Sequence, residues 1–230
     1  MGTTPALSIV MPVLDEGACI DEAIEALEPV LARGVELIVV DGGSRDDTVA
    51  IVRARGVCVI TAARSRALQM NAGAATARAS MLLFLHADTM LPADADQRIV
   101  EALAARVWGR FDIRIVGRHW MLPVVATMMN LRSRSTGIAT GDQALFMRRD
   151  AFEAVGGFPA QPLMEDIAMS VRLRAHGRPA CLTARARTSG RRWERHGVWR
   201  TILLMWRLRF GYWWGEAPAE LHRRYYGTPR

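Results

Sequence analysis

The sequence predicts an α/β fold: a mostly parallel, Rossmann-like sheet flanked by helices, with an amphipathic helix towards the C-terminus. Three observations carry this expectation. Continuous apolar runs at 7–13, 37–40 and 82–85 have the length and pattern of strands buried on both faces. Helical patterns separate them, and such alternation implies parallel strands joined by right-handed crossovers. Each run also stops at acid: Asp15-Glu16, Asp41-Gly42-Gly43-Ser44 and His86-Ala87-Asp88. Ligands of open α/β sheets bind beyond the carboxyl ends of the strands. Acids there suit a bound cation and the polar edges of a nucleotide.

The elements follow in order. After the first strand, Ile24, Leu27 and Leu31 mark a helix over 21–33, closed by Gly34. A strand at 35–40, a helix at 46–55 ended by Gly56, and a short strand at 57–61 come next. Residues 64–79 form an Ala-rich helix, Ala having the highest helix propensity. A strand at 81–85 precedes a helix opened by Pro92 and running to about 106. At 108–116, Phe111, Ile113 and Ile115 alternate with Arg110, Asp112 and Arg114, the pattern of a half-buried strand. Helices are expected at 119–134, from Asp150 to Gly156-Gly157, and at 163–176. Strands are expected at 143–147 and 179–183. No repeat or linker interrupts the chain, which is expected to be one domain over 1–230. Its nucleotide half spans about 1–90, its acceptor and catalytic half about 91–197, and its terminal helix about 198–215.

The chain has 230 residues, half of them hydrophobic, enough for one substantial core. The formal charge is +7, and every basic residue is arginine. Spread along the whole chain, this excess has the character of a compositional bias, and no nucleic-acid partner is expected. It suits an anionic substrate or an anionic membrane surface. Cys19, Cys58 and Cys181 have neither metal-finger nor paired spacing; they are expected to be reduced and buried. No signal peptide and no spanning segment of roughly 20 apolar residues is evident, so a cytoplasmic location is expected.

Several motifs carry chemistry. Asp41-Gly42-Gly43-Ser44 joins strand to helix and suits either a nucleotide contact or a plain helix cap. It is not Gly-x-Gly-x-x-Gly, which argues against a dinucleotide oxidoreductase. Asp88 is the expected metal ligand, since carboxylate oxygens match hard cations such as Mg2+ or Mn2+. His86 is either a second ligand or a hydrogen-bond partner. Glu165-Asp166 opens a helix whose apolar stripe is Met164, Ile167, Ala168, Val171 and Ala175, leaving Asp166 opposite and free to face a cleft. Arg66, Gln69 and Asn71 either hold a pyrophosphate or base, or are simply exposed. Arg191-Arg192-Trp193 is either a phosphate grip or a solvated turn. Trp199, Ile202, Leu203, Trp206, Phe210 and Trp213 share one stripe of the helix 198–215, with Arg200 and Arg207 away from it. That helix suits a membrane interface, a homodimer, or packing on the domain.

Taken together, these residues resemble the family 2 inverting glycosyltransferases. The match runs from Ser8–Glu16 through Asp41–Ser44, Phe84–Thr89 and Gly141-Asp142-Gln143 to Met164-Glu165-Asp166. The run Arg66–Gly73 with His86-Ala87-Asp88 resembles the subfamily associated with arsenosugar biosynthesis and radical-SAM gene neighbourhoods. The resemblance implies a GT-A fold, a nucleotide-sugar donor of the UDP class, and a divalent cation, Mn2+ or Mg2+. It implies that Pro12, Val13, Asp15, Glu16, Asp41, Gly42, Gly43, Ser44, Arg66, Gln69, Asn71, His86 and Ala87 line the donor site. Asp88 corresponds to the metal-binding Asp of Asp-x-Asp and Asp166 to the catalytic base, with Glu165 beside it. Gly141, Asp142, Gln143, Arg192 and Trp193 fall on the acceptor side. His86 replaces the first Asp of Asp-x-Asp, and Arg191-Arg192-Trp193 lacks the Gln of Gln-x-x-Arg-Trp. Without several spanning helices, a single-transfer enzyme with an unidentified acceptor is expected. The rival expectations are a non-catalytic nucleotide-sugar-binding protein and a membrane-surface or nucleic-acid protein.

Overall fold

The computed structural model describes residues 4–227. The first half follows the expected alternation. β1 (Leu7–Val13), β2 (Glu36–Asp41), β3 (Cys58–Thr61) and β4 (Met81–Phe84) are separated by α1 (Ile20–Glu25), α2 (Glu28–Leu31), α3 (Thr48–Ala54) and α4 (Arg66–Thr76). The helix expected over 21–33 is two short ones. Pro29 has no N–H to give Glu25 O, so the helix breaks between the two, and Pro29 sits in the first turn of the second, where it is tolerated. β5 (Thr89–Met90), α5 (Ala95–Ala105), β6 (Trp108–Val116) and α6 (Leu122–Thr136) follow. After a 3-10 turn (Gly141–Gln143) come β7 (Leu145–Arg148), α7 (Arg149–Ala154), α8 (Glu165–Arg174) and β8 (Ala180–Ser189). The chain continues as α9 (Arg191–His196), α10 (Val198–Trp213) and α11 (Pro218–Tyr226).

All eight strands form one sheet in the order β3-β2-β1-β4-β7-β6-β8-β5. β1 lies parallel between β2 and β4, with Val13 beside Asp41 and Val10 beside Phe84. The acid-bearing ends of these three strands therefore lie along one edge. β7 runs antiparallel to both β4 and β6. Side-chain alternation divides the core in two. Ile9, Met11, Leu37, Val39 and Leu83 join α1, α2 and α5 on one face. Val10, Ile38, Val40, Leu82 and Phe84 meet α4, α7 and α8 on the other. α4 reaches the sheet closely because of Gly73, where a Cβ would lie 2.3 Å from Val10 Cγ1 and 2.9 Å from Val40 Cγ2.

Three expectations need correction. β6 is not half-exposed: Arg110 is 0% exposed and Asp112 is buried. Arg110 pairs with Asp112 and donates to Ser133 Oγ (3.0 Å) and Asn130 O (3.1 Å), while Arg134 reaches Asp112 at 2.6 Å. Packing of α6 against the strand covers its polar side. β8 is ten residues long rather than five, because Arg185 and Arg187 alternate with buried Ala186 and Thr188, a pattern that lacks an apolar run. Cys58 is exposed, and Cys19 and Cys181 are only partly buried; all three are free thiols.

Candidate active site

At the ends of β1 and β2 the backbone and short polar side chains lace two loops together. Asp15 sits at a left-handed φ of 53°, accepts from Arg45 N at 2.8 Å and donates its own N–H to Ser44 Oγ at 2.9 Å. Glu16 N donates to Thr48 Oγ1 and Gly17 N to Asp46 Oδ2, both at 2.9 Å. Asp41 turns its carboxylate onto its own loop, accepting from Gly43 N at 3.0 Å and from Ser44 Oγ at 2.5 Å. Gln69 is buried, and its Nε2 donates to Val13 O and Val40 O at 2.8 Å each. Gly42 N donates to Val13 O at 2.9 Å. Pro12 is partly buried, and the Val13 and Ala87 side chains lie in the core.

Asp88 lies just beyond β4, its carbonyl accepting from Ser189 N at 3.1 Å. That link brings the start of α9 beside it. Cys19 and the nearby Glu16 and Asp88 carboxylates strengthen the Arg191 guanidinium's hold on its proton, and its Nε donates to Ser189 Oγ at 3.2 Å. Burial, reinforced by Glu16, pushes the Cys19 thiol up to about 11, so it stays protonated at neutral pH.

A second cluster surrounds the start of α8. Met164, at a left-handed φ of 65°, turns the chain into the helix. Asp166 Oδ2 accepts from Gly141 N at 2.8 Å and Oδ1 from Ile167 N at 2.7 Å. Burial raises the Asp166 pKa despite these bonds, and Asp142 adds to the rise. Glu165 is 6% exposed, and burial followed by the Asp166 charge raises it too. Its burial corrects the expected stripe: α8 packs on the sheet through Met169 and Leu173, while Val171 is 54% exposed. The helix has a second apolar side, where Met164 and Ile167 meet α10, and that side blurred the periodicity.

His86 lies against Gly141, where a Cβ would be 2.4 Å from its ring. Its Nδ1 is 3.4 Å from Asp142 Oδ1. Burial works to raise the Asp142 pKa, but His86, Arg66 and Arg192 outweigh it and hold the carboxyl below the usual range. His86, Gly141, Glu165, Asp166, Met70, Phe84, Leu145 and Phe158 line a cavity of about 10 Å³. Asp41 and Asp88 do not line it.

The sequence pattern described as Glycosyl transferase family 2 matches residues 8–156. The chain belongs to this family. Solved structures share its fold. A mannosyltransferase from Pyrobaculum calidifontis in complex with GDP-Man and Mn2+ is 20% identical over 80% of this chain and 57% of its own, with a TM-score of 0.63. TarS from S. aureus in complex with UDP is 17% identical over 80% and 60%, with a TM-score of 0.66. Glucosyl-3-phosphoglycerate synthase from Mycobacterium tuberculosis in complex with Mg2+ and UDP is 20% identical over 80% and 70%, with a TM-score of 0.61. This chain thus spans less than two thirds of the first two proteins. A comparison with curated protein sequences found no match.

In this family 2 chain several expected site residues have other partners. Asn71 clamps Phe158 through reciprocal 2.9 Å hydrogen bonds to its carbonyl and N–H. Gln143 is buried, its Oε1 accepting from Thr140 N at 3.2 Å. Trp193 packs on the cluster of Ile113, Leu122 and Val198. Arg192 sits 3.6 Å from the centroid of the Tyr225 ring. Arg66 is the member of its trio whose charge reaches the cluster: it is exposed, and although partial desolvation opposes its charge, Glu165 and Asp142 prevail and strengthen it.

Sequence reasoning missed Arg132. Its Nε and Nη2 are buried without a hydrogen-bond partner among the described residues. Burial works against its charge, and Asp166 works for it. Nothing in the spacing separates Arg132 from Arg134, the other arginine of α6. Tyr225 and Tyr226, which border Arg192, lie beyond the motifs that drew attention.

Among the described residues no three His, Cys, Asp or Glu side chains gather as a ready-made cation cage. The chemistry at Asp88 nonetheless fits a hard cation. One carboxylate oxygen has no hydrogen bond within the described residues, and the other is 3.3 Å from Thr89 Oγ1. A single carboxylate is enough where a diphosphate and water supply the remaining oxygens. His86 faces Asp142, with its Nδ1 3.4 Å from Oδ1, and packs against Gly141.

Proposed function

We propose that the chain moves a hexose from a nucleotide-sugar donor of the UDP class to an acceptor nucleophile in one displacement that inverts the anomeric carbon. The observation behind this is the Asp166 carboxylate. It is fixed by two backbone N–H groups beside Glu165, and its proton affinity is raised by burial. Each oxygen keeps a lone pair for an incoming proton. The acceptor oxygen attacks the anomeric carbon, its proton passes to Asp166, and the carbon–oxygen bond to the nucleoside diphosphate breaks with both electrons leaving on the diphosphate.

Asp88 would hold the divalent cation, Mn2+ or Mg2+. When bound, that ion neutralises the diphosphate and eases its departure. Arg191 and Arg66 add fixed positive charge on either side. The lacing of Asp15, Glu16, Ser44 and Asp41 shapes a rigid rim for the nucleoside. Asp142 and Gly141 border the acceptor. The run 66–73 keeps the arsenosugar-associated subfamily as the narrower reading. A cytoplasmic location fits the donor, with helix 198–215 as the contact to the inner membrane face or to a second copy.

Replacing Asp166 by Asn tests the proposal. A positioned general base contributes about 10²–10⁴-fold. Asp166→Asn is expected to lose turnover on that scale while binding donor normally in calorimetry. Near-normal turnover would remove Asp166 from the role. Donor binding without turnover in the unaltered chain, across many acceptors, would favour a binding protein instead.

A further inference from the structure

α10 is amphipathic, yet the side it packs with is not its aromatic one. Val198, Thr201, Leu208 and Gly211 are buried against the body. Leu208 rests on Met164 and Leu221, beside the turn that carries Glu165 and Asp166. The opposite face holds Trp199, Leu203, Trp206, Phe210, Trp213 and Trp214, each more than 60% exposed. At 100° per residue these six fall within one third of the helix circumference. α6 repeats the arrangement: Leu122, Val125 and Ala126 are buried, while Val124, Met128 and Leu131, with Trp120 before them, are exposed. Both helices are anchored in one cluster, around Ile113, Ile115 and Val198. Five of the seven tryptophans of the chain are exposed on these two helices and their flanks.

We infer that this double face docks into the interface of an anionic bilayer. Charge chooses the occupant. Neither α6 nor α10 contains an Asp or Glu. Arg200 and Arg207 flank one edge of the aromatic stripe, and Arg209 flanks the other. A symmetric contact with a second copy would set these arginines against their own counterparts, because each patch meets itself. Anionic headgroups complement them. Tryptophan rings, apolar with one N–H donor, settle at headgroup depth. α10 has 16 residues and three arginines, and no helix among the described residues is long and apolar enough to cross a membrane. The chain would lie on the bilayer rather than span it.

Vesicle flotation of the full chain, with no nucleotide sugar present, tests docking independently of sugar transfer. The probes are phosphatidylcholine vesicles with and without phosphatidylglycerol. The expected result is flotation with the mixed vesicles, a blue shift of tryptophan emission, and loss of binding as salt rises. Trp206→Glu is expected to weaken binding at least about tenfold with an unchanged circular dichroism spectrum. Should that variant misfold, Arg200→Glu/Arg207→Glu is expected to abolish the preference for phosphatidylglycerol. Three results would overturn the inference: absence of binding to either vesicle, binding indifferent to both variants, or a dimer in solution that Trp206→Glu dissociates while vesicles stay unbound.

Discussion

Asp166 and Glu165 are adjacent in sequence but differ in exposure. Both line the same cavity, Glu165 buried and Asp166 only partly so, and burial raises both carboxyls. Interacting acids lose protons in two macroscopic steps. A group whose folded pKa is raised favours the fold while it is protonated, and that contribution is lost as pH rises through the folded value. A base must be deprotonated, so activity should increase over the same interval. The acid limb of kcat/KM is therefore expected above the ordinary aspartate value of about 3.9, and Asp166→Asn should remove it. An acid limb at the ordinary value would contradict the assignment. Gln69 makes the opposite prediction. Its amide donates to Val40 O and, beside Gly42 N, to Val13 O, and leaving a buried acceptor short of its partner costs about 1–3 kcal/mol. Gln69→Leu should lower Tm clearly while the folded variant binds donor almost normally. A normal Tm with lost donor affinity would restore Gln69 to the site. These two cases show what single residues reveal in sequence. The positions of the acids at strand ends were legible, because the apolar runs before them mark where the strands stop. The bonds made by Asp41, Gln69, Asn71 and Gln143 were not, since a side chain that braces a loop is written in the same letter as one that binds a ligand.

At the scale of elements, α4 fits against β1 and β2 only because residue 73 lacks a side chain. In Gly73→Ala the new methyl would meet Val10 and Val40, both stiff at χ1. Overpacking of this kind costs about 1–3 kcal/mol, and the better helix propensity of Ala returns about 1. A net loss on the order of 1 kcal/mol is expected, or a Tm lowered by roughly 2–4 °C in a chain of this size. A raised Tm would mean that the helix can move away from the sheet. Strands with continuous apolar runs, β1, β2 and β4, were legible within a residue. β6 was legible as a strand but not in its burial, because Arg110 and Asp112 satisfy each other under α6. β5, α9 and α11 went unseen: β5 is two residues long, and α9 buries no residue at all.

At the scale of the molecule, the sheet brings together segments far apart in the chain. β1, β2 and β4 deliver their acid-bearing ends to one edge. The antiparallel β7 follows the 3-10 turn at Gly141, where Asp166 receives its hydrogen bond. Left-handed backbone at Asp15, Ala144 and Met164, the three non-glycine residues in that conformation among those described, falls beside these same loops, where strain commonly marks functional sites. The sequence order of the motifs was enough to place them in one family. Their separation into a rim at the ends of β1 and β2 and a cavity at the start of α8 depends on long-range pairing, which local periodicity does not carry.

The central claim is that a cation held at Asp88 couples this fold to a sugar nucleotide. Titration calorimetry of the full chain with UDP-sugars and GDP-sugars, with and without Mn2+, measures that coupling directly. The expected result is saturable binding of one donor class that strengthens on adding Mn2+, and loss of the metal-dependent part in Asp88→Asn with an unchanged Tm. Donor binding of equal strength with and without the metal, or full metal dependence surviving in Asp88→Asn, would contradict it.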